Sequence, residues 1–242
     1  GMMGTFALET RVDAIQHEYE EFLDRAAHRV HRIRPELAIE RRTVLAPAAT
    51  GLVEAVEGND IIVVGAAGRS GPVIDTIGSV ATAVAHRSPV PVVVVPARTT
   101  ASSGPIRRIV VGIDGSSAAR SAVRWAHREA TLLGARLELV HAWSVPHTST
   151  ESDDPDRRRR AKDEARQELD AATAALADCV IVDGVKVRAG LVEGRPSNVL
   201  IDASAAADLV VVGSRGRGGF AALVLGSVSR AVLQHAACPE IG

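Results

Sequence analysis

The chain repeats itself. Ile61-Ile62-Val63-Val64-Gly65 matches Leu209-Val210-Val211-Val212-Gly213, and Gly213 stands 148 residues after Gly65. The offset holds without a gap through Gly68 and Gly216, Arg69 and Arg217, Gly78 and Gly226, Ser79 and Ser227, and Pro91 and Pro239. A period of one domain length means a tandem duplication and not a solenoid. Whatever one copy folds into, the other must be able to approximate.

The second copy shows which fold that is. Ile106 to Asp114 is an apolar run ending in Asp-Gly-Ser, the pattern of a buried strand and a turn. Ser116 to Leu133 has apolar residues at helical spacing, and Gly134 closes it. Arg136 to Trp143 reads as a strand. Asp154-Pro155 opens a long helix running to about Ala177. Val185 to Leu191 is a third strand, Pro196 to Ala206 a helix, Asp208 to Gly213 a fourth strand and Ser227 to Ala236 a last helix. Strands alternating with helices predict an α/β fold, a parallel sheet covered on both faces.

The first copy is expected to be incomplete. Carrying the offset back from Ile106 falls about 42 residues ahead of Gly1, so strands 1 and 2 and the helix between them have no counterpart. Residues 1 to 12 stay unassigned. Val12 to Arg34 matches the long helix, Leu37 to Leu45 the third strand, Ile61 to Gly65 the fourth and Val92 to Val95 a fifth. In the second copy Glu240-Ile241-Gly242 falls where the fifth strand should run, so that strand is expected to be missing. The two copies are therefore not expected to pair symmetrically through their fifth strands within one chain. The domains follow: 1–97, a linker at 98–105 rich in Thr, Ser and Ala, and 106–242.

Composition excludes several functions. Hydrophobic residues make up 46% of the chain, enough for a real core, and aromatics only 2%, too few to stack bases or sugars. The net charge of -1 gives no footprint for nucleic acid or an acidic membrane surface. Arg157 to Arg160 is flanked by acidic residues and reads as a charged helix face. Cys179 and Cys238 lack CxxC spacing, and His28, His31, His127 and His235 lack spaced partners. Neither a disulfide framework nor a metal centre is expected, and a cytoplasmic setting fits. No apolar run is long enough for a membrane span.

One pattern could carry chemistry: Gly-x2-Gly-x9-Gly-Ser, at Gly65, Gly68, Gly78, Ser79 and again at Gly213, Gly216, Gly226, Ser227. Each copy follows a strand and leads into a helix. Glycines let a backbone approach a ligand closely, and Gly-Ser places N–H groups and a hydroxyl at a helix N-terminus, where an anion is favoured. Tight turns and close helix–sheet contacts would use the same glycines. Asp114 has two readings as well: a ligand-facing carboxylate at a strand end, or ordinary Asp-Gly turn chemistry.

This motif, with Val110-Val111-Gly112-Ile113-Asp114-Gly115-Ser116, Val140-His141-Ala142 and Val211 to Gly219, resembles the universal stress protein family. The likeness is to its nucleotide-binding subgroup, in the tandem form common in actinobacteria. The resemblance implies a five-stranded parallel sheet in the order 3-2-1-4-5, with ATP, with or without Mg, across the carboxyl ends of strands 1 and 4. It implies Asp114 on the ribose and adenine side, beside any bound metal, with Gly112 and Ser116 in the same strand-end motif. The backbone around Ala142 would hold the adenine edge. Gly213, Arg215, Gly216, Gly226, Ser227 and Val228 would hold ribose and phosphates. Arg217 would add charge or stay a solvated loop arginine. The first copy keeps only the phosphate-loop half, with Ala66 and Ala67 in place of Ser214 and Arg215, and is expected to form no complete site. Relatives also imply a homodimer, here through the exposed edge of the first copy.

No Walker motif, no Gly-x-Gly-x-x-Gly after the strand ending at Asp114, and no nucleophile elbow with a triad occurs. The expected function is a stress-response regulator that binds an adenine nucleotide without being an enzyme. The alternatives are a ligand-free interaction scaffold, or a slow ATPase or adenylyl-transfer enzyme, although His-x-Gly-His is absent.

Overall fold

The computed structural model describes residues 2–66, 77–96, 104–145, 155–177, 185–216 and 225–242. The chain divides into two compact units, Gly1–Pro47 and Ala48–Gly242.

The first unit is one long helix, α1 (Met2–Ile33), and the segment after it. The helix starts earlier than the sequence suggested. Its far end is tied to the following segment by an ion pair between Arg41 and Asp24 and by a hydrogen bond between His31 Nε2 and the Leu37 carbonyl at 3.0 Å. The strand expected at Leu37–Leu45 does not form: residues 34–47 contain no strand. A β-strand exists only by pairing, and among the described residues no strand pairs with this segment.

The second unit is built on one sheet. In chain order it contains α2 (Ala48–Glu54), β1 (Ile62–Gly65), α3 (Ser79–Arg87), β2 (Val92–Val95), β3 (Arg108–Ile113), α4 (Ser117–Leu133), β4 (Arg136–Trp143), α5 (Pro155–Ala177), β5 (Val187–Glu193), α6 (Pro196–Ser204), β6 (Leu209–Val211), α7 (Ser227–His235) and β7 (Glu240–Ile241). Among the described residues the sheet has seven strands, in the order β1-β2-β7-β6-β3-β4-β5. All neighbours are parallel except β2 and β7, which are antiparallel.

Three expectations are corrected by this sheet. The second copy does have a fifth strand: Glu240 and Ile241 pair with Val210 and Val211 of β6. The fifth strands of both copies do meet within one chain, with Val93 opposite Ile241 and Val94 opposite Glu240. And the sheet does not stop at five strands: those of residues 104–242 run β5-β4-β3-β6-β7, which is 3-2-1-4-5 counted from β3, and the sheet continues into β2 and β1. The cause is common to all three. Two residues suffice for β7 because they are held on both sides, so an edge that would face water is used to join the repeats.

Local chemistry explains the elements. Ile109, Val110 and Val111 are buried on both faces, as a central parallel strand requires. Ser116 caps α4, its hydroxyl accepting from the Ala119 amide at 3.0 Å, and Gly134 ends it in the left-handed conformation at φ 63°. Ala119, Ala122, Val123, Ala126 and Ala130 form the buried stripe of α4. That stripe and Leu169 of α5 cover one face of the sheet, over Ile109, Val111, Leu137, Leu139 and Ile241. The opposite face is covered by α6 and α7 near Val110, Val210 and Val212, and by α2 and α3 near Ile62, Val92 and Val94. Each large aliphatic side chain so buried contributes roughly 1.5–3 kcal/mol.

Candidate functional site at the carboxyl ends of the strands

Strand register brings the site residues together. β3 pairs with β4 up to Ile113 and His141, so Asp114 and Ala142 are the next residues along their two strands. On the other side Val111 pairs with Val211, which carries Gly213 and the following loop up beside Asp114. Asp114, Ala142 and 213–216 thus share the carboxyl edge of three adjacent strands, where open α/β sheets hold ligands.

The loops are then fastened. The Ser116 amide donates to Asp114 Oδ1 at 3.0 Å, and Gly115 turns the chain at φ 78°. The Ser116 hydroxyl donates to the Arg215 carbonyl at 3.3 Å, tying the loop after β3 to the loop after β6. The loop after β6 closes on itself: the Gly226 amide donates to the Ser214 carbonyl at 2.8 Å. Ser229, a residue the motif did not flag, donates its hydroxyl toward the carbonyls of both Ser214 and Gly226, at 3.2 and 3.0 Å. Its role rests on the loop after β6 folding back onto α7, which no local pattern in the sequence marks.

The glycines sort into different roles. A Cβ on Gly216 would lie 2.5 Å from Asp114 Oδ2, so the carboxylate and the loop backbone approach as closely as glycine allows. A Cβ on Gly213 would strike the backbone of Ala118 and Ala119 at 2.8 Å, and one on Gly112 would meet Leu200 at 2.7 Å. Those two serve packing against α4 and α6. Gly226 precedes α7 with extended backbone and offers no side chain to cap the first-turn amides of Ser227 and Val228. Those amides point where an anion is favoured. Arg215 is exposed beside them, and Arg217 lies outside the described residues.

The first copy reproduces the loop closure alone. The Gly78 amide donates to the Ala66 carbonyl at 2.7 Å, the same bond as Gly226 to Ser214 at the repeat offset, and Gly78 precedes α3 as Gly226 precedes α7. Gly65 ends β1 and Ser79 begins α3; Gly68 lies outside the described residues. Among the described residues no strand stands beyond β1, so none of them holds the places of Asp114 and Ala142 in its sheet.

His141 is buried, with Nε2 3.5 Å from Glu168 Oε2 on α5. A cavity of about 220 Å³ on the α4 and α5 face shares Gly115 with the candidate site and is otherwise lined by residues such as Ile113, Ala119, Glu168 and Ala172. Among the described residues no group of three or more His, Cys, Asp or Glu is placed to hold a metal ion. No helix among them is long and apolar enough to cross a membrane.

The family model for the universal stress protein family matches residues 3–96 and again 105–240. The chain belongs to the universal stress protein family. Both matches fall on the repeats, so the tandem duplication is a duplication of the family's domain. A universal stress protein of Mycobacterium tuberculosis is 32% identical over 213 residues, covering 85% of this chain and 69% of that protein. One from Mycolicibacterium smegmatis is 32% identical over 195 residues, covering 79% and 64%. Among solved structures, a universal stress protein from Archaeoglobus fulgidus superposes with a TM-score of 0.67 at 20% identity, over 95% of this chain and 77% of that one. That likeness is one of fold.

Proposed function

We propose that this universal stress protein binds an adenine nucleotide, ATP with or without Mg, at the carboxyl ends of β3, β4 and β6, as a cytoplasmic stress-response regulator. The observation that carries the reading is the approach of Gly216 to Asp114. The backbone of a glycine loop and a strand-end carboxylate meet with no room for a side chain, beside uncapped amides of α7. Such a cradle suits a ligand with a sugar hydroxyl and a phosphate. Asp114 accepts from hydroxyls, or neutralises a cation if one accompanies the phosphates. The amides of Ser227 and Val228, the Ser227 hydroxyl and Arg215 face the anion. The backbone at Ala142 takes the edge of the base. Binding such a ligand biases conformation or assembly.

The nucleotide acts as a ligand and not as a substrate, because the residues grouped here include no nucleophile–base pair aimed at a phosphate. Among the described residues only β3, β4 and β6 bring such a set together, so one nucleotide per chain is expected. A homodimer through the free edge of β1 accompanies this reading.

Calorimetric titration with ATP and Mg²⁺ tests it. One site per chain is expected, lost when Gly226 and Ser227 are together replaced by bulky residues. Undiminished affinity in that folded variant would sink the assignment. Absence of any binding by the parent chain would favour the interaction scaffold, and steady release of phosphate or pyrophosphate would favour the enzyme.

A further inference from the structure

The two repeats are joined in the sheet at one short seam. β7 is parallel to β6 on one side and antiparallel to β2 on the other, and the β2–β7 register holds only two pairs. Its flanking hydrogen bonds, Val92 amide to Gly242 carbonyl at 3.4 Å and Gly242 amide to Val92 carbonyl at 3.3 Å, are long. β4 and β5, by comparison, pair over seven residues.

The middle of this seam holds a carboxyl group. Glu240 stands in register with Val94 of β2 and Val210 of β6, so its side chain shares a face with both. Val94 belongs to the cluster under α2 and α3, and Val210 to the one under α6 and α7. Glu240 therefore lies where the two apolar clusters meet. It is 1% exposed, and neither side-chain oxygen has a hydrogen-bond partner among the described residues. The residue at the same place in the first repeat, by the offset of 148, is the buried Val92.

Among the described residues no neighbouring charge compensates it. β2 and the described part of β6 carry no ionisable side chain. Asp208, just before β6, takes the amides of Arg107 and Arg108, both at 2.9 Å. Cys238 is buried, its thiol pushed up to about 11 by burial and then by Asp208. The ionisable residues of α7 are Arg230 and His235, both exposed; those of α3 are His86, half-buried, and Arg87, exposed; α2 carries Glu54 and α6 Asp202, both exposed. A charged carboxylate left dry and unpaired is costly, so the group in the closed seam is neutral.

We propose that the β2–β7 seam is a proton-dependent latch between the two repeats, closed while Glu240 carries its proton and released when that proton is given up to water. Burial pushes the carboxyl up to about 8, against 4.5 when exposed. The closed seam therefore holds a proton that the open seam surrenders above its own lower value. Opening is least favoured below pH 4.5, gains steadily up to pH 8 and levels off above it. The opening constant should rise about a hundredfold between pH 5.5 and pH 8.

Native-state hydrogen exchange on the whole chain at these two pH values, corrected for intrinsic exchange, tests the latch. The Val92 and Gly242 amides should lose protection by that factor, while amides within β3 and β4 keep theirs. Glu240→Gln and Glu240→Leu should each remove the pH dependence; if the leucine variant does not fold, the glutamine variant decides. Equal protection of the seam at both pH values overturns the proposal. So does the same rise in the glutamine variant, or a rise shared equally by β3 and β4, in which case the carboxyl titrates only with the whole fold.

Discussion

Gly213 and Gly216 stand three residues apart in one loop, and a side chain fails at each for a different reason. At Gly213 the added atom meets the backbone of α4, which cannot rotate away. Gly213→Ala should therefore lower stability by about 1–3 kcal/mol in urea denaturation. At Gly216 the obstacle is the end of the Asp114 side chain, which can turn aside. Gly216→Ala should leave stability nearly unchanged and weaken ATP binding at least about tenfold, or about 1.4 kcal/mol, by calorimetry. Equal affinity would remove Asp114 from the site. Ser116 holds a third kind of place. It caps α4 and also ties the loop after β3 to Arg215. Ser116→Ala should cost about 1 kcal/mol of stability through the cap.

Among the elements, β1 and β6 show what a neighbour does. Val63 and Val211 occupy equivalent positions, yet Val63 is 62% exposed and Val211 only 1%. β6 has β3 beside it and α4 within reach; among the described residues β1 has no strand on its outer side. Its free edge is Ile62-Val63-Val64-Gly65, without charge, proline or bulge to discourage pairing. Sedimentation of the protein should show a dimer, and Val63→Lys, placed on an exposed position, should give a monomer with unchanged thermal stability. A parent chain that sediments as a monomer at high concentration would show that this edge is not used.

For the molecule as a whole, ligand and proton both act on the folded state. If ATP binds only the folded chain, a concentration of 100 times Kd should add about 2.7 kcal/mol to unfolding, seen as a rise in Tm. A ligand-free scaffold predicts no change. Glu240 works in the other direction. Its folded-state value is raised, to about 8 from 4.5. The folded chain therefore binds more protons than the unfolded chain between those values, and stability falls as pH rises through them. The loss approaches about 5 kcal/mol by pH 8 if the seam stays shut, and less if it opens locally. Urea denaturation of the parent and of Glu240→Leu across this range should converge at low pH and diverge at high pH.

The repeat, the elements of residues 106–236 and the glycine loops are determined by sequence alone, because each rests on local chemistry. Apolar runs make buried strands, Ser116 and Gly134 bound a helix, and Gly-x2-Gly-x9-Gly-Ser recurs wherever the domain does. Ser229 and the Ser116–Arg215 bond were not legible, since they depend on loops from distant strands meeting. Pairing was the other thing only the tertiary structure decided. Leu37–Leu45 has the composition of a strand and pairs with no strand among the described residues. Glu240-Ile241 is too short to be read as a strand and becomes one, having an edge on each side. Strand content follows from the neighbours a segment finds, and the sequence names those neighbours only where both members of the pair are present in the repeat.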